Sequence, residues 1–260
     1  MLMDDMEDLQ PFIETFLEVC RRIEAKGFVA ATDGNVSARL PNGNVLTTPT
    51  AMNKAFVTAG DLVELDLNGF RVAGRRNPSS EIDMHLFIYG SRPDVRAVVH
   101  CHPVYATAFA TARIPLSECL FPEVIVGMGA VPLAPYATPS TREVRDSIAP
   151  FVGKADAILL ANHGAVTCGS DLWDAYFKME KLEHAARVQY LARTLGGEKP
   201  LTAEEVSKLA AVAGPSYGKD LAGKPLCKPA GEQGTPDLSD PRIAAIVQEV
   251  QRRLQKYQIE

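Results

Sequence analysis

The sequence predicts an α/β protein, on three observations. Amphipathic helical stretches alternate with short β-branched runs, two of those runs end in histidine, and 260 residues are enough for one substantial core. Hydrophobic residues make up 46% and charged residues 23%, as in an ordinary globular chain. The net charge of −5 leaves no basic surplus to neutralise phosphates, so nucleic acid is not an expected partner. No apolar run approaches membrane-spanning length, and the opening Met1-Leu2-Met3-Asp4-Asp5 is acidic where a signal peptide would be basic. The five cysteines (Cys20, Cys101, Cys119, Cys168, Cys227) are odd in number and lack CxxC spacing. Reduced thiols in a cytoplasmic protein are the expectation.

In chain order, Leu9, Phe12, Ile13, Phe16, Leu17, Cys20 and Ile23 recur at helical spacing over 8–26, with Gly27 as the C-cap. A polar loop around Asp33-Gly34-Asn35 leads into a strand over 36–40, and Pro41-Asn42-Gly43 turns the chain into a return strand over 45–47. Thr48-Pro49-Thr50-Ala51 is a second polar loop. A further hairpin spans 63–72 around Asn68-Gly69. Ser79 or Ser80 can cap a helix over 81–89, and Glu81 suits its positive end; capping alone would account for all three residues. His85 shares a helix face with Glu81 and reads as structural.

The run Val95 to Val99 is a strand closed by Pro103. Residues 104–112 form a small-residue helix; Ile125-Val126 and Val131-Pro132-Leu133 are short strand candidates. A helix begins near residue 141, capped by Ser140 or Thr141. Two apolar strands flank His163, and Ser170 caps the longest helix, about 171–195, with Leu172, Ala175, Met179, Leu182, Ala186 and Tyr190 on one face. His184 lies off that stripe as an ordinary helix residue. Thr202-Ala203-Glu204-Glu205 is a capping box for a helix to about 213. The chain therefore divides into a domain over 1–213 and a Gly/Pro-rich tail over 214–260, whose residues 241–256 carry helical spacing again.

The chemistry centres on His100-Cys101-His102-Pro103. On a strand, His100 and His102 face one way and Cys101 the other. Neutral imidazole is a good donor to zinc-like cations, and His163 closes a second apolar strand. A lone histidine beside apolar residues is usually structural. Two strand-end sites together suggest a metal, because strand ends in α/β folds are where ligands collect. Neither a P-loop nor a GxGxxG opening a helix is present, so nucleotide cofactors are not expected.

Taken in order, Asp33-Gly34-Asn35, Thr48-Pro49-Thr50, Ser79-Ser80-Glu81, His100-Cys101-His102-Pro103, Ala134-Pro135-Tyr136-Ala137-Thr138 and Asn162-His163-Gly164 resemble the class II aldolase/adducin family, and its fuculose-phosphate-aldolase-like enzymes in particular. The likeness spans about 10–213. It implies a three-layer α/β/α domain on a central mixed sheet, assembled as a homotetramer with active sites at subunit interfaces. It implies Zn2+, or another divalent cation, on His100, His102 and His163, with Glu81 as acid/base. It places a substrate phosphate among Gly34, Asn35, Thr50, Ser79 and Ser80, and aligns Tyr217, within a one-residue slip, with a tail tyrosine of the family. The implied reaction is reversible cleavage of a small ketose 1-phosphate to dihydroxyacetone phosphate and an aldehyde. Decarboxylation or sugar-phosphate epimerisation on the same metal are alternatives, and an adducin-like scaffold without catalysis is the rival from another class.

Three departures stand out. Ala51 replaces the glycine usual after the Thr-Pro-Thr motif. Asp33 puts a carboxylate beside the phosphate loop. The stretch 116–123 offers Cys119 and Phe121 where the fuculose enzymes supply a tyrosine.

Overall fold

The computed structural model describes residues 3–217 and 227–230, with side chains for 9–215 and 227–230. The chain opens with helix α1 (Met3–Ala25), which starts five residues before the expected point. Strands β1 (Asn35–Arg39), β2 (Val45–Thr47), β3 (Val63–Leu65) and β4 (Arg71–Ala73) follow as consecutive antiparallel neighbours. Helix α2 (Ile82–Ser91), strand β5 (Ala97–Cys101) and helix α3 (Val104–Thr111) carry the chain to the centre of the sheet.

Next come α4 (Pro122–Gly127), β6 (Leu133–Ala134), α5 (Arg142–Val152), β7 (Ala157–Leu160), β8 (Gly164–Gly169), α6 (Leu172–Thr194) and α7 (Ala203–Tyr217). The eight strands lie in the order β4-β3-β2-β1-β5-β8-β7-β6. Only β6–β7 is a parallel pair, so the sheet is mixed, as the family likeness implies.

Strand alternation builds two cores. Ala97, Val99 and Cys101 of β5 pack with Phe16, Met179 and Leu182 from α1 and α6, while Val98 packs on the other face with Met84, Ile88 and Ile148 from α2 and α5. The result is three layers, with β5 and β8 buried between helices on both sides.

Several local expectations are corrected. Residues 122–127, including Ile125-Val126, form helix α4 and not a strand: Pro122 occupies the first turn, where a missing N–H costs nothing, and Glu123 suits its positive end. The cap of α2 is Glu81, without a side-chain cap bond; Ser79 Oγ instead accepts from the Glu81 N–H at 3.2 Å. Asp171, not Ser170, caps α6 through a bond from Asp174 N. Tyr190 of that helix is half exposed.

Helix α7 runs four residues past 213. Beyond it, the tail is not wholly detached. Lys228 N donates to Ser117 O at 2.7 Å, Cys119 N to Lys228 O at 3.1 Å, and Ala230 N to Leu201 O at 2.8 Å. Cys119 and Cys227 form a disulfide across this contact, against the expectation that all five thiols are free. The residues are 108 positions apart, so no CxxC-type spacing announces the pair. Cys20, Cys101 and Cys168 are free and buried. The helical pattern over 241–256 lies outside the described residues.

Candidate metal centre and anion cradle

Sheet register assembles the site. His100 of β5 pairs with Asn35 of β1 on one side and Val166 of β8 on the other, and Cys101 pairs with Ala165. His102 follows β5 directly, and His163 sits in the turn between β7 and β8, so adjacent strand ends deliver the three rings. Their centroids are 4.7–5.0 Å apart. Gly164 permits this convergence, since a Cβ there would lie 2.5 Å from Cys101 O and from His102 Cδ2. Asn162 takes a left-handed backbone (φ 56°), which asparagine tolerates better than most residues.

The nitrogens point inward. His100 Nδ1 lies 2.9 Å from Ala165 O; a carbonyl only accepts, so Nδ1 carries a proton and Nε2 is the atom turned to the centre. His102 Nε2 is 3.2 Å from His100 Nε2, and its Nδ1 faces Asp33 Oδ2 at 3.5 Å. Asp33 thus lines the cavity with its carboxylate turned to an imidazole. One donor atom from each of the three histidines lies within 4.8 Å of the others. Metal–nitrogen bonds of about 2.0–2.1 Å around a tetrahedral ion require separations of roughly 3.3 Å, so small ring adjustments suffice.

Glu81 closes the fourth side. Its Oε2 accepts from Asn35 Nδ2 at 3.0 Å and lies 3.1 Å from His100 Nε2. Its Oε1 is buried, 3.2 Å from His163 Nε2, and among the described residues neither it nor the buried Asn35 Oδ1 accepts a hydrogen bond. Orphaned buried oxygens beside three imidazoles suit a cation. Burial raises the Glu81 carboxyl pKa, but attraction to His100 and His163 outweighs it and holds the group well below the usual carboxylate range. Burial also lowers His102, helped by the charges of His100 and His163, to about 4.

The metal-type centre opens into a cavity of about 390 Å³. Gly34, Asn35, Thr50, Ser79 and Ser80 line it together with Glu81, His102 and His163. Buried His100 completes the centre behind them. Thr50 N donates to Asn77 O and Ser79 N to Thr48 O, which clamps the two polar loops side by side. Ala51 takes a left-handed backbone (φ 54°). His85 is buried away from the cavity, its Nδ1 2.7 Å from Ser37 Oγ, in the structural place expected for it. His184 is exposed on α6.

The Tyr217 side chain lies outside the described residues. Ser140, read from sequence only as a helix cap, also reaches the cavity: its Oγ donates to Ser80 Oγ at 2.9 Å, and its own φ is +62°. Thr141 does the capping of α5. Nothing local in the sequence distinguishes those two tasks.

A mixed sheet lies between helical layers, and three imidazoles at central strand ends meet the Glu81 carboxylate at the start of α2 beside a hydroxyl- and amide-lined cavity, a donor set that could hold a cation. The chain belongs to the class II aldolase and adducin N-terminal domain family, whose model matches residues 14–190. It is 35% identical over 181 residues to an L-fuculose phosphate aldolase of Methanococcus maripaludis, covering 69% of this chain and 97% of that one. It is 33% identical to a 3-oxo-tetronate 4-phosphate decarboxylase of Escherichia coli, covering 78% of this chain and 99% of the relative. The solved structure of YgbL from Escherichia coli, whose assignment is left among aldolase, epimerase and decarboxylase, superposes with a TM-score of 0.73 at 31% identity over 77% of this chain and 98% of that one. The first two of these relatives are lyases by name, an aldolase and a decarboxylase. Among the described residues no helix is long and apolar enough to cross a membrane.

Proposed function

We propose that the protein is a zinc-dependent aldolase that reversibly cleaves a small ketose 1-phosphate to dihydroxyacetone phosphate and an aldehyde. The observation that carries this reading is the meeting of His100, His102, His163 and Glu81 at one end of a cavity whose other walls are Asn35, Thr50, Ser79 and Ser80. His100, His102 and His163 would hold the ion; bound there, zinc supplies Lewis acidity toward the carbonyl and hydroxyl oxygens of the substrate. Three neutral ligands leave its charge undiminished.

Glu81 handles the proton. In the condensation direction its carboxylate removes a proton from the carbon that attacks the aldehyde; in cleavage its carboxyl returns one to that carbon. Asn35 holds Glu81 through the 3.0 Å bond to Oε2 and fixes the orientation of the carboxylate. The hydroxyls of Thr50, Ser79 and Ser80, with loop amides, bind the phosphate and orient the ketose. Active sites at the interfaces of a cytoplasmic homotetramer complete the proposal, with Tyr217 offered from the tail.

The test is a panel of ketose 1-phosphates against zinc-loaded protein, read by dihydroxyacetone phosphate release. Glu81→Gln should lower turnover by about 10²–10⁴ while zinc still binds. A folded, zinc-loaded enzyme that cleaves no member of the panel overturns the reading.

Decarboxylation of a 3-oxo acid phosphate is the second reading. It is favoured by the decarboxylase relative and by the 116–123 stretch, where Cys119 is tied into a disulfide and no tyrosine stands. Carbon dioxide release separates the two.

A further inference from the structure

Among the described residues, the walls of the cavity contain no lysine or arginine; their charged groups other than histidine are the carboxylates of Asp33 and Glu81. A phosphate there would meet hydroxyls and amides but no side-chain cation, in a protein that is already net negative. A lysine nevertheless stands behind the wall, tied to the backbone of Thr32, one of the lining residues. Lys54 is 1% exposed, and its Nζ donates to Thr32 O at 2.9 Å and to Met52 O at 2.5 Å.

Among the described residues no carboxylate lies within ion-pair distance of it. A buried ammonium held only by carbonyls is an expensive arrangement. Its position explains why it is kept. Thr32 belongs to the loop that carries Gly34 and Asn35, and Met52 follows the loop that carries Thr50 and Ala51. Asn53 doubles the link, its Nδ2 donating to Ala31 O at 2.9 Å while its Oδ1 caps the short 3-10 turn Lys54–Phe56.

We propose that Lys54 is a positioning residue of the anion cradle: from inside the fold it ties the two loops together and lends the cavity the positive charge its lining lacks, for a phosphate monoester group. The inference rests on the reading of these loops as a phosphate site. A buried cation does not compete for the ligand's own hydrogen bonds, and low-dielectric surroundings screen it little, so its field reaches through a single loop layer. Burial lowers the pKa of the ammonium, with Asp33 among the groups opposing that effect.

The test compares wild type, Lys54→Met, Lys54→Arg and Asn53→Ala, each loaded with zinc. Inorganic phosphate and neutral dihydroxyacetone serve as probes in calorimetry, and zinc affinity is read by chelator competition. Lys54→Met should weaken phosphate at least tenfold and leave dihydroxyacetone and zinc within threefold. With a phosphorylated substrate, KM should rise far more than kcat falls. Lys54→Arg should restore phosphate binding to within threefold of wild type, and Asn53→Ala, which keeps the charge, should do the same.

Equal losses for phosphate and dihydroxyacetone would make Lys54 a structural tie only and overturn the proposal, as would undiminished phosphate binding in Lys54→Met. If Lys54→Met does not fold, a folded Lys54→Arg with lost phosphate affinity overturns it and a retained one supports it. Wild type that ignores phosphate would instead bring down the phosphate reading itself, and this inference with it.

Discussion

Gly34 shows how narrowly single atoms define this site. Its φ is +70°, and a Cβ would lie 2.5 Å from Val29 Cγ1 and 2.8 Å from His100 O. The loop therefore passes against the strand that carries His100 with room for hydrogen alone. Gly34→Ala should cost about 2–4 kcal/mol, combining left-handed strain with overpacking, and urea unfolding will measure it.

His85 makes a pH prediction. Burial first, then the charge of His100, depresses it from 6.5 to about 3, with Glu81 opposing. A base whose folded pKa is depressed is uncharged in the fold, so its contribution is intact above the unfolded value and is lost as pH falls from about 6.5 toward 3. Metal-free wild type should lose about 2 kcal/mol more than His85→Gln between pH 6.5 and 5, checked by denaturation at both pH values. Residue identity places His100 and His102 on one side of a strand end, because alternation on a strand is a local rule. It could not foretell that Asp33 would turn to His102, or that Lys54 would be sealed behind the loop, since both depend on contacts made across the fold.

At the scale of elements, helices with clear periodicity and caps emerge from the sequence within a few residues. Short apolar runs do not: Ile125-Val126 suits a strand by composition, and only Pro122 and Glu123 just upstream point to a helix start. Tail docking was also hidden, because residues 227–230 contribute hydrogen bonds to the segment around Ser117 and Cys119 and no periodic pattern of their own. Cys119 and Cys227 anchor a small cluster with Ile125, Ala130 and the partly buried Leu201, Val206 and Leu209. Reduction should release this anchor and lower stability by about 2–5 kcal/mol, mostly by freeing the unfolded chain. Thermal melts with and without dithiothreitol test it, with peptide mapping to verify the 119–227 link. Cys119→Ser should reproduce the reduced melt.

For the whole molecule, the α/β class and the strand-end location of the site follow from sequence pattern. The order of the eight strands does not, because it is set by pairing between distant segments. A bound ion that recognises only the folded arrangement stabilises it by mass action. Zinc at a hundredfold excess over its dissociation constant should add about 2.7 kcal/mol, seen as a melting shift that a chelator reverses and that His163→Ala abolishes.

The pairing of β5 with β8 carries one more implication. His100 shares its face with Val98, whereas Val99 and Cys101 look into the opposite core. Displacing that strand by a single position would point a thiol where an imidazole belongs and sink the histidine among aliphatic neighbours. Were an ion bound there, as proposed above, its uptake would require central strands already in correct alignment, and capture late in folding would mark the completed sheet.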